Sequence, residues 1–334
     1  MKPDSIGEPS DFLGAQISKY FVNGDSKPKW AISSEKYVKE AIRIVTRRIR
    51  DRGMWLKTKT SSVLPSGYHP ELDSSPLLDA NDASMYMQFI GILRWIVELG
   101  RIDICCEVSM MSSYNAAPRS GHLDAVLHLF AYLAGHERSR IVMDDGYYPH
   151  VEKPECNWKD MYPEAVDQVP PDAPEALGKP VQQTMFVDAS HAANLVTRQS
   201  RTGVLIFLNR APILWYSKKQ MSIETSTFGS EFTALKVGME LLIGLRYKLR
   251  MMGIPIDGYA HVQVDNMSVV NNASRPESTL KKKSNSIAYH FVRECCAADI
   301  ARVGHEPTDS NLADMLTKTQ SGTKRGGLAS KVLF

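Results

Sequence analysis

Four carboxylates lie where an apolar segment ends or a helix begins, and these positions can bring acids into one shared site. Asp188 ends the apolar stretch "QTMFVD", and Asp265 ends "YAHVQVD" in the same way. Glu231 lies in the first turn of a long amphipathic segment, and Asp314 lies beside apolar residues in "NLADMLTK". A carboxylate among apolar neighbours is costly unless something compensates its charge. The four acids are therefore candidates for a common function.

Each acid also has an ordinary explanation. Asp188 could be a turn residue after a strand, Glu231 could complement the positive end of a helix, and Asp314 could be a surface acid. Gathered at one rim of a sheet, however, the acids repel one another and require cations between them. Oxygen ligands without His or Cys favour Mg²⁺ or Mn²⁺. Two such ions can hold the attacking and leaving oxygens of a phosphodiester, which indicates metal-dependent hydrolysis.

The elements that carry these acids predict an α/β domain. The strand "QTMFVD" is followed by a hairpin of "GVLIFLN" and "PILWYS", and then by a long helix that ends at Gly253. The strand "YAHVQVD", a helix in "KSNSIAYHFVRECCAADI" and the short strand "ARVGH" come next. We expect a last helix over "DSNLADMLTK", with Asp309 or Ser310 as its N-cap.

The chain before residue 144 predicts an α+β part that precedes this domain. "FLGAQISKYF" and the segment after it indicate two strands, followed by a helix from Ser34 to Gly53. Residues 82–98 and 119–135 have the apolar spacing of two further amphipathic helices. Residues 144–180 contain seven prolines and have a net charge of −6. They predict an acidic linker or a long surface loop between the two parts.

Composition and charge favour an intracellular protein with an anionic partner. Residues 181–334 contain 19 Lys or Arg against 12 Asp or Glu, which is a net charge of +7 and favours nucleic acid. No apolar run approaches the roughly 20 residues needed to cross a membrane. The N-terminus has no signal-peptide core. The five cysteines have no Cys-x-x-Cys spacing, so neither a zinc site nor a disulfide framework is indicated.

Several motifs occur together in residues 181–320: "FVDASHA", "TGVLIFLNRAPILWYSKKQ", "ETSTFGSEFTAL", "VDNMSV", "KKKSNSIAYHFVRE" and "NLADMLTK". In combination they resemble the ribonuclease H domain of copia-type retrotransposon Pol polyproteins. Upstream, "DFLGAQI" and "SEKYVKEAI" resemble the end of a reverse transcriptase palm and its exit helix. The segment from "MYMQFIGILRWIVELG" to "LFAYLAG" resembles the thumb and connection. The resemblance therefore covers most of the chain.

This resemblance implies a domain order. Residues 1–60 would be the remnant of the palm, 61–143 a helical thumb or connection, and 144–180 the acidic Pro-rich linker. Residues 181–320 would form a ribonuclease H-like domain with a mixed five-stranded sheet and helices, followed by a C-terminal tail over 321–334. The acids of the polymerase site would precede Met1. We therefore expect the C-terminal piece of a longer polyprotein or a truncated gene copy, without polymerase activity.

The resemblance also implies an activity and its residues. The chain would be an endonuclease that hydrolyses the RNA strand of RNA·DNA hybrids, with two Mg²⁺ or Mn²⁺ ions held by Asp188, Glu231, Asp265 and Asp314. His305 stands where cellular ribonucleases H place a mobile histidine that helps release the product, and its alternative is a loop histidine. Relatives often have an acid where Ser190 stands and a second Glu in the place of "FGS". Neither position is a metal ligand in the family.

Substrate contacts and partners follow from the same resemblance. Asn266, with Ser226 or Thr227, would donate hydrogen bonds to the 2′-hydroxyls that distinguish RNA from DNA. Lys281, Lys282 and Lys283 would follow the phosphates of the DNA strand, or would form a solvated run.

The partner would be an RNA·DNA hybrid, with a full-length reverse transcriptase subunit as a further candidate and no membrane. The expected location is the cytoplasm, within a virus-like particle, or the nucleus, without secretion. One alternative is a catalytically inactive remnant that binds nucleic acid or a polymerase. Another is a structural relic without affinity for nucleic acid.

Overall fold

The computed structural model describes residues 7–22, 24–57, 60–152, 158–280 and 283–334. They form two compact units. Unit 1 consists of Met1–Asp144 together with Thr319–Phe334, and unit 2 consists of Asp145–Lys318. Within the described ranges, every helix is too short or too polar to cross a membrane.

Strands and helices occur in both units. The first part of unit 1 contains β1 (Asp11–Phe12), β2 (Ala15–Tyr20), β3 (Lys29–Ser33), α1 (Glu35–Arg50), α2 (Ala80–Glu98), α3 (Cys105–Met111), α4 (Ser120–Gly135) and β4 (Arg140–Val142). Unit 2 contains β5 (Gln183–Ser190), β6 (Arg201–Leu208), β7 (Ala211–Lys219), α5 (Thr227–Met251), β8 (Ala260–Val264), α6 (Met267–Ser274), α7 (Ser286–Ala297) and β9 (Ala301–His305). The chain then returns to unit 1 with α8 (Gly322–Ala329).

Unit 1 combines an antiparallel sheet with helices, which agrees with the predicted α+β class, although the sequence indicated two strands and the sheet has four among the described residues. Its strands are ordered β1-β2-β3-β4. α1 buries a stripe at helical spacing that consists of Val38, Ala41, Val45 and Ile49. α2 and α4 meet through an edge-to-face contact of Phe89 with Phe130, whose ring centroids are 5.7 Å apart.

The last residues of the chain are part of unit 1. Residues 321–334 were expected to form a tail, but they contain α8, and Phe334 exchanges backbone hydrogen bonds with Arg140 at 3.0 and 2.9 Å. Arg325 is buried and forms an ion pair with the buried Glu107. It also donates to the backbone oxygen of Asp103 at 2.7 Å. The C-terminal segment therefore contributes polar groups to the interior of this unit.

Unit 2 is built on a five-stranded mixed sheet with the order β7-β6-β5-β8-β9 among the described residues. β5, β6 and β7 pair antiparallel, whereas β5, β8 and β9 pair parallel. The mixed sheet with helices that the ribonuclease H-like resemblance implies is thus confirmed. α5 packs on the sheet, where Gly238 allows close approach because a Cβ at this position would lie 3.0 Å from the side chain of Met185.

The acidic segment expected as a linker packs onto unit 2. Trp158 is buried in the same core as α5 and α7. Asp167 forms ion pairs with Arg246 and Arg250 of α5, both at 2.5 Å. Arg246 interrupts the apolar stripe of α5, and its two terminal nitrogens donate to the side-chain oxygen of Gln183 at 2.7 Å and to the carboxylate of Asp167 at 2.5 Å. Because a buried charge is stable only when it is paired, this segment completes the unit.

The buried ion pair of unit 1 gives a stability prediction. Arg325→Met removes the cation that neutralises Glu107 and should destabilise the chain by about 3–5 kcal/mol, the cost of leaving a buried carboxylate unpaired. Adding Glu107→Gln should recover part of this loss, because the double variant no longer contains the unpaired carboxylate of Glu107. Lys331→Met is the matched control, since Lys331 is exposed. Urea unfolding measures all three effects, and equal stability of the Arg325 and Lys331 variants would contradict the assignment.

Candidate active site

Strand register brings two of the four predicted acids together. β5 and β8 run parallel, and Val187 is the register partner of Val264. Asp188 is the next residue of β5, and Asp265 directly follows β8. β5 does not end at Asp188, as the sequence predicted, because it stays paired with β6 to Ser190. The side chains of the two acids therefore leave neighbouring strands at the same edge of the sheet, the edge formed by the carboxyl ends of parallel strands. This edge is where open α/β sheets commonly bind ligands.

The third acid, Glu231, comes to this edge from the second turn of α5, and not from the first turn that the sequence predicted. The helix begins at Ser226, whose Oγ accepts a hydrogen bond from the backbone N–H three residues later at 3.1 Å. Gln220, directly after β7, donates its side-chain amide to Thr202 Oγ1 at 3.1 Å and to the backbone oxygen of Ser230 at 2.9 Å. These bonds fix the start of the helix against the sheet and hold Glu231 in place.

Three carboxylates converge as a result. Asp188, Glu231 and Asp265 each offer one oxygen, and the three oxygens lie within 4.8 Å of one another. Asp188 and Glu231 are buried, with 3% and 8% of their surface exposed, and Asp265 is partly buried. The sequence predicted that acids at these element ends would share one rim. The geometry brings three of the four into direct proximity.

The fourth acid lies on a 3-10 helix, Leu312–Leu316, and not on the α-helix expected for this segment. The expected N-cap at Asp309 or Ser310 was wrong, because Asn311 occupies that position. Asn311 Oδ1 accepts from the backbone N–H two residues later at 3.0 Å, and its Nδ2 donates to the backbone oxygen of Val187 at 2.9 Å. One amide therefore starts the helix and also binds it to β5, which an Asp carboxylate cannot do because it has no N–H to donate, and which the single hydroxyl of a Ser is too short to do.

A close approach to β6 completes this part of the site. Gly203 is the register partner of Asp188. A Cβ at Gly203 would lie 2.7 Å from Thr317 Cγ2 and 2.9 Å from the backbone oxygen of Ala313. The absence of a side chain thus allows Thr317 to donate its hydroxyl to the carboxylate of Asp188. Asp314 is fully buried in the same segment.

Burial and repulsion raise the pKa of Asp188. Loss of solvation is the largest cause, and the carboxylates of Asp314 and Asp265 add to it. The hydroxyl of Thr317 and the ammonium of Lys318 act in the opposite direction. The result is a pKa raised from the ordinary 3.8 to about 6. The surroundings of Asp188 therefore disfavour its ionised form, so that it loses its proton at a higher pH than an exposed aspartate.

The pKa of Glu231 rises further for the same reasons. Burial is again the largest cause, followed by the charges of Asp188 and Asp265. A backbone N–H from Ala189 and the charge of Lys318 oppose the shift, but the pKa still reaches about 10. In the absence of a cation, Glu231 therefore keeps its proton at neutral pH.

The donor set fits a hard divalent cation. All three converging ligand atoms are carboxylate oxygens, which Mg²⁺ and Mn²⁺ prefer. The raised pKa values of Asp188 and Glu231 show that the protein alone does not neutralise these charges. A bound cation would supply that neutralisation. Asp188, Glu231 and Asp265 are thus the residues that could hold it, with Asp314 buried next to them.

Sequence reasoning missed two side chains that follow the fourth acid. Thr317 and Lys318 lie three and four residues after Asp314, the spacing of one helical turn, and both were within the motif "NLADMLTK". Lys318 forms an ion pair with Asp314. Burial lowers the pKa of Lys318, but the carboxylates of Asp314, Asp188 and Asp265 outweigh it, so the pKa lies above its ordinary value. The four-residue spacing of Asp314 and Lys318 was the signal in the sequence from which this ion pair could have been predicted.

Thr308 was missed as well. Its Oγ1 donates to Oδ2 of Asp265 at 2.9 Å, from the loop after β9. His305 ends β9 as an exposed residue, and its register partner is Val264, the residue before Asp265. The predicted histidine therefore lies at the same edge of the sheet as the acids.

The residues predicted to contact nucleic acid have different surroundings. Asn266 caps α6, with Oδ1 accepting from two backbone N–H groups at 3.0 and 3.3 Å. Ser226 caps α5, and Thr227 is exposed in its first turn. Lys283 is exposed at the start of a 3-10 helix before α7. Lys281 and Lys282 lie outside the described residues.

The chain is similar to Pol polyproteins of transposons over most of its length. It is 25% identical to the retrovirus-related Pol polyprotein from transposon RE1 of Arabidopsis thaliana over 276 residues, which are 83% of this chain and 16% of that protein. For the retrovirus-related Pol polyprotein from transposon TNT 1-94 of Nicotiana tabacum, the identity is 24% over 94% of this chain and 20% of that protein. The chain thus spans about a fifth or less of the length of these relatives.

Solved structures give weaker similarities. LC11-RNase H1 in complex with an RNA/DNA hybrid is 17% identical, with a TM-score of 0.33, and the match covers 41% of this chain and 94% of that one. The foamy viral protease-reverse transcriptase in complex with an RNA/DNA hybrid is 10% identical, with a TM-score of 0.30, and covers 91% of this chain and 36% of that one. No model of a known protein family matches the chain.

The raised pKa of Asp188 predicts how pH affects stability in EDTA. A folded pKa of about 6 against an ordinary 3.8 means that the carboxyl stabilises the fold below about pH 4, and that this contribution is lost as pH rises through 6. Asp188→Asn does not titrate. It should therefore gain about 1–2 kcal/mol relative to the parent between pH 5 and pH 8.5. Urea unfolding at both pH values measures the gain, and the same difference at each would contradict the prediction.

Proposed function

We propose that unit 2 is a ribonuclease that hydrolyses the RNA strand of RNA·DNA hybrids with the help of divalent cations. The observation that carries this proposal is the convergence of Asp188, Glu231 and Asp265 within 4.8 Å. It occurs at the carboxyl edge of β5 and β8 in a ribonuclease H-like sheet. The similarity to transposon Pol polyproteins agrees with the resemblance of residues 181–320 to their ribonuclease H domain.

The chain's own residues prepare the site for this chemistry. Asp188, Glu231, Asp265 and Asp314 would hold the cation, which when bound supplies positive charge to the scissile phosphate and an activated water. Thr317 and Thr308 each donate a hydroxyl to one carboxylate, to Asp188 and Asp265 respectively. These bonds orient the carboxylates before substrate arrives. Glu231 must release its proton when a cation binds, because protonated carboxyls are poor ligands.

Recognition of the RNA strand would begin beside the acids. Asn266 directly follows Asp265, and its side-chain oxygen is engaged by the first turn of α6. Because the oxygen is engaged, the amide N–H₂ is the group of Asn266 that would donate to a ribose 2′-hydroxyl. Thr227 and Lys283 are exposed polar residues that could contribute hydroxyl and phosphate contacts. The net charge of +7 over residues 181–334 favours an anionic substrate of this kind.

Unit 1 would have a role separate from that of unit 2. Its antiparallel strands, α1 and the following helices would be the end of a polymerase palm and the thumb or connection. We propose that it holds the hybrid or a full-length reverse transcriptase subunit. The second candidate for the whole chain is an inactive binding module, which would bind the hybrid without cleaving it.

Cleavage of a labelled RNA·DNA hybrid tests the proposed function. Asp188→Asn and Asp265→Asn should each reduce the cleavage rate in Mg²⁺ by more than about a hundredfold, because each removes a ligand charge from the site. Both variants should still bind the hybrid in EDTA. Asp309→Asn is the matched control, since it makes the same chemical change at an exposed acid near Asp314, and it should cleave like the parent.

The other results each have a distinct meaning. Undiminished cleavage by either Asp188→Asn or Asp265→Asn would refute the assignment of the site. Binding of the hybrid by the parent without cleavage, in both Mg²⁺ and Mn²⁺, would favour the inactive binding module. Absence of binding and cleavage alike would favour a structural relic.

A further inference from the structure

Lys318 is a cation inside the acidic site. Its ammonium is paired with Oδ1 of Asp314, four residues before it. The side chain of Asp314 is 1% exposed, whereas that of Lys318 is 47% exposed. The carboxylate is therefore held in the interior, and the ammonium lies at the boundary with solvent.

The charges of the site explain why Lys318 stays there when no metal is bound. Asp188, Glu231 and Asp265 converge, and the charge of Asp314 acts on Asp188 from the next segment. Lys318 in turn interacts with Asp188, Asp265 and Asp314. An ammonium with several carboxylates around it is attracted to this place, and its half-exposed position lets it keep part of its hydration.

The different exposure of the two partners matters when a divalent cation arrives. Asp314 cannot turn to solvent without opening the 3-10 helix, which Asn311 ties to β5. Lys318 can move out, because its long side chain is half exposed. A cation that takes an oxygen of Asp314 must therefore displace or repel the Lys318 ammonium.

We propose that Lys318 is a built-in competitor of the metal, whose ammonium occupies Asp314 in the empty site and weakens the binding of the cation that uses this carboxylate. The proposal rests on the metal site proposed above and adds a residue that sets its affinity. Lys318 also favours the ionised forms of Asp188 and Glu231. Its repulsion nevertheless dominates, because a divalent cation carries twice the charge of the proton it replaces.

Binding of Mn²⁺ to the full chain without nucleic acid tests this competition. Electron paramagnetic resonance counts free Mn²⁺ during the titration, so the affinity of each bound ion is obtained independently of activity. Lys318→Met should tighten the weakest bound Mn²⁺ by roughly three- to tenfold, the effect of removing one charge at a half-exposed site. Lys318→Arg keeps the charge and should bind like the parent.

Two controls separate competition from a structural effect. Lys236→Met removes another lysine with an i,i+4 carboxylate partner, Glu240 at 2.6 Å, from the exposed side of α5. It should leave Mn²⁺ binding unchanged. Asp314→Asn removes the carboxylate for which Lys318 and the metal compete. In that background, Lys318→Met should have a clearly smaller effect on Mn²⁺ affinity, because only the interactions of Lys318 with Asp188 and Asp265 remain.

The outcomes distinguish this inference from the proposed function. If the parent binds no Mn²⁺, the metal site itself is wrong and the competition falls with it. If the parent binds Mn²⁺ and Lys318→Met binds it equally or more weakly, the site stands and the role of Lys318 is wrong. The same tightening by Lys318→Met with and without Asp314 would also overturn the proposal, because the lysine would then act elsewhere.

Discussion

The repulsion among three buried or partly buried carboxylates is the constraint on which the organisation of unit 2 depends. Asp188, Glu231 and Asp265 bring oxygens within 4.8 Å of one another. The fold keeps these side chains together, and burial with mutual repulsion raises the pKa of Asp188 and of Glu231. The sheet can hold them because two of the acids leave adjacent parallel strands in register, where the backbone cannot move independently. The apolar core between the sheet and α5 stabilises the fold and so offsets the unfavourable free energy of placing these charges together.

Two side-chain amides and one glycine around the core fix the segments that carry the acids in defined positions. Gln220 fixes the start of α5, and Asn311 fixes the segment that carries Asp314 to β5. Gly203 leaves room for that segment on β6. These residues have no direct role in the proposed chemistry. Each removes a freedom that would otherwise let a carboxylate turn toward solvent and relieve the repulsion.

The parts of the site that follow local rules could be predicted from the sequence. Asp188 and Asp265 follow the apolar runs of two strands, and Glu231 lies near the start of a helix, so the apolar pattern places them near one edge of the sheet. The strands and the longer helices of unit 2 were predicted from the same patterns, whereas the mixed five-stranded sheet was implied by the resemblance. The double role of Asn311, the ion pair of Lys318 with Asp314 and the short helix α6 were not predicted. Such features depend on which segment packs beside which, and a single sequence does not contain that information.

Long-range ion pairs account for the remaining differences from the expected domain organisation. The acidic segment contributes Asp167 to two arginines of α5, and the last residues contribute Arg325 to Glu107 in unit 1. A proline-rich composition and a terminal position are typical of segments outside a folded core. In both cases the segment provides the ion-pair partner of a charged residue many positions away in the chain. A composition or position that is judged locally does not reveal such a partner.

The most direct test of the site is the position of a bound metal in a crystal of the full chain. Crystals soaked in Mn²⁺ would be measured at a wavelength where manganese scatters anomalously, with Asp188→Asn crystals as the comparison. We expect an anomalous peak in contact with oxygens of Asp188, Glu231 and Asp265, and a weaker peak or none in the variant. Manganese bound only elsewhere on the chain, or a peak of equal height in the variant, would contradict a shared metal site.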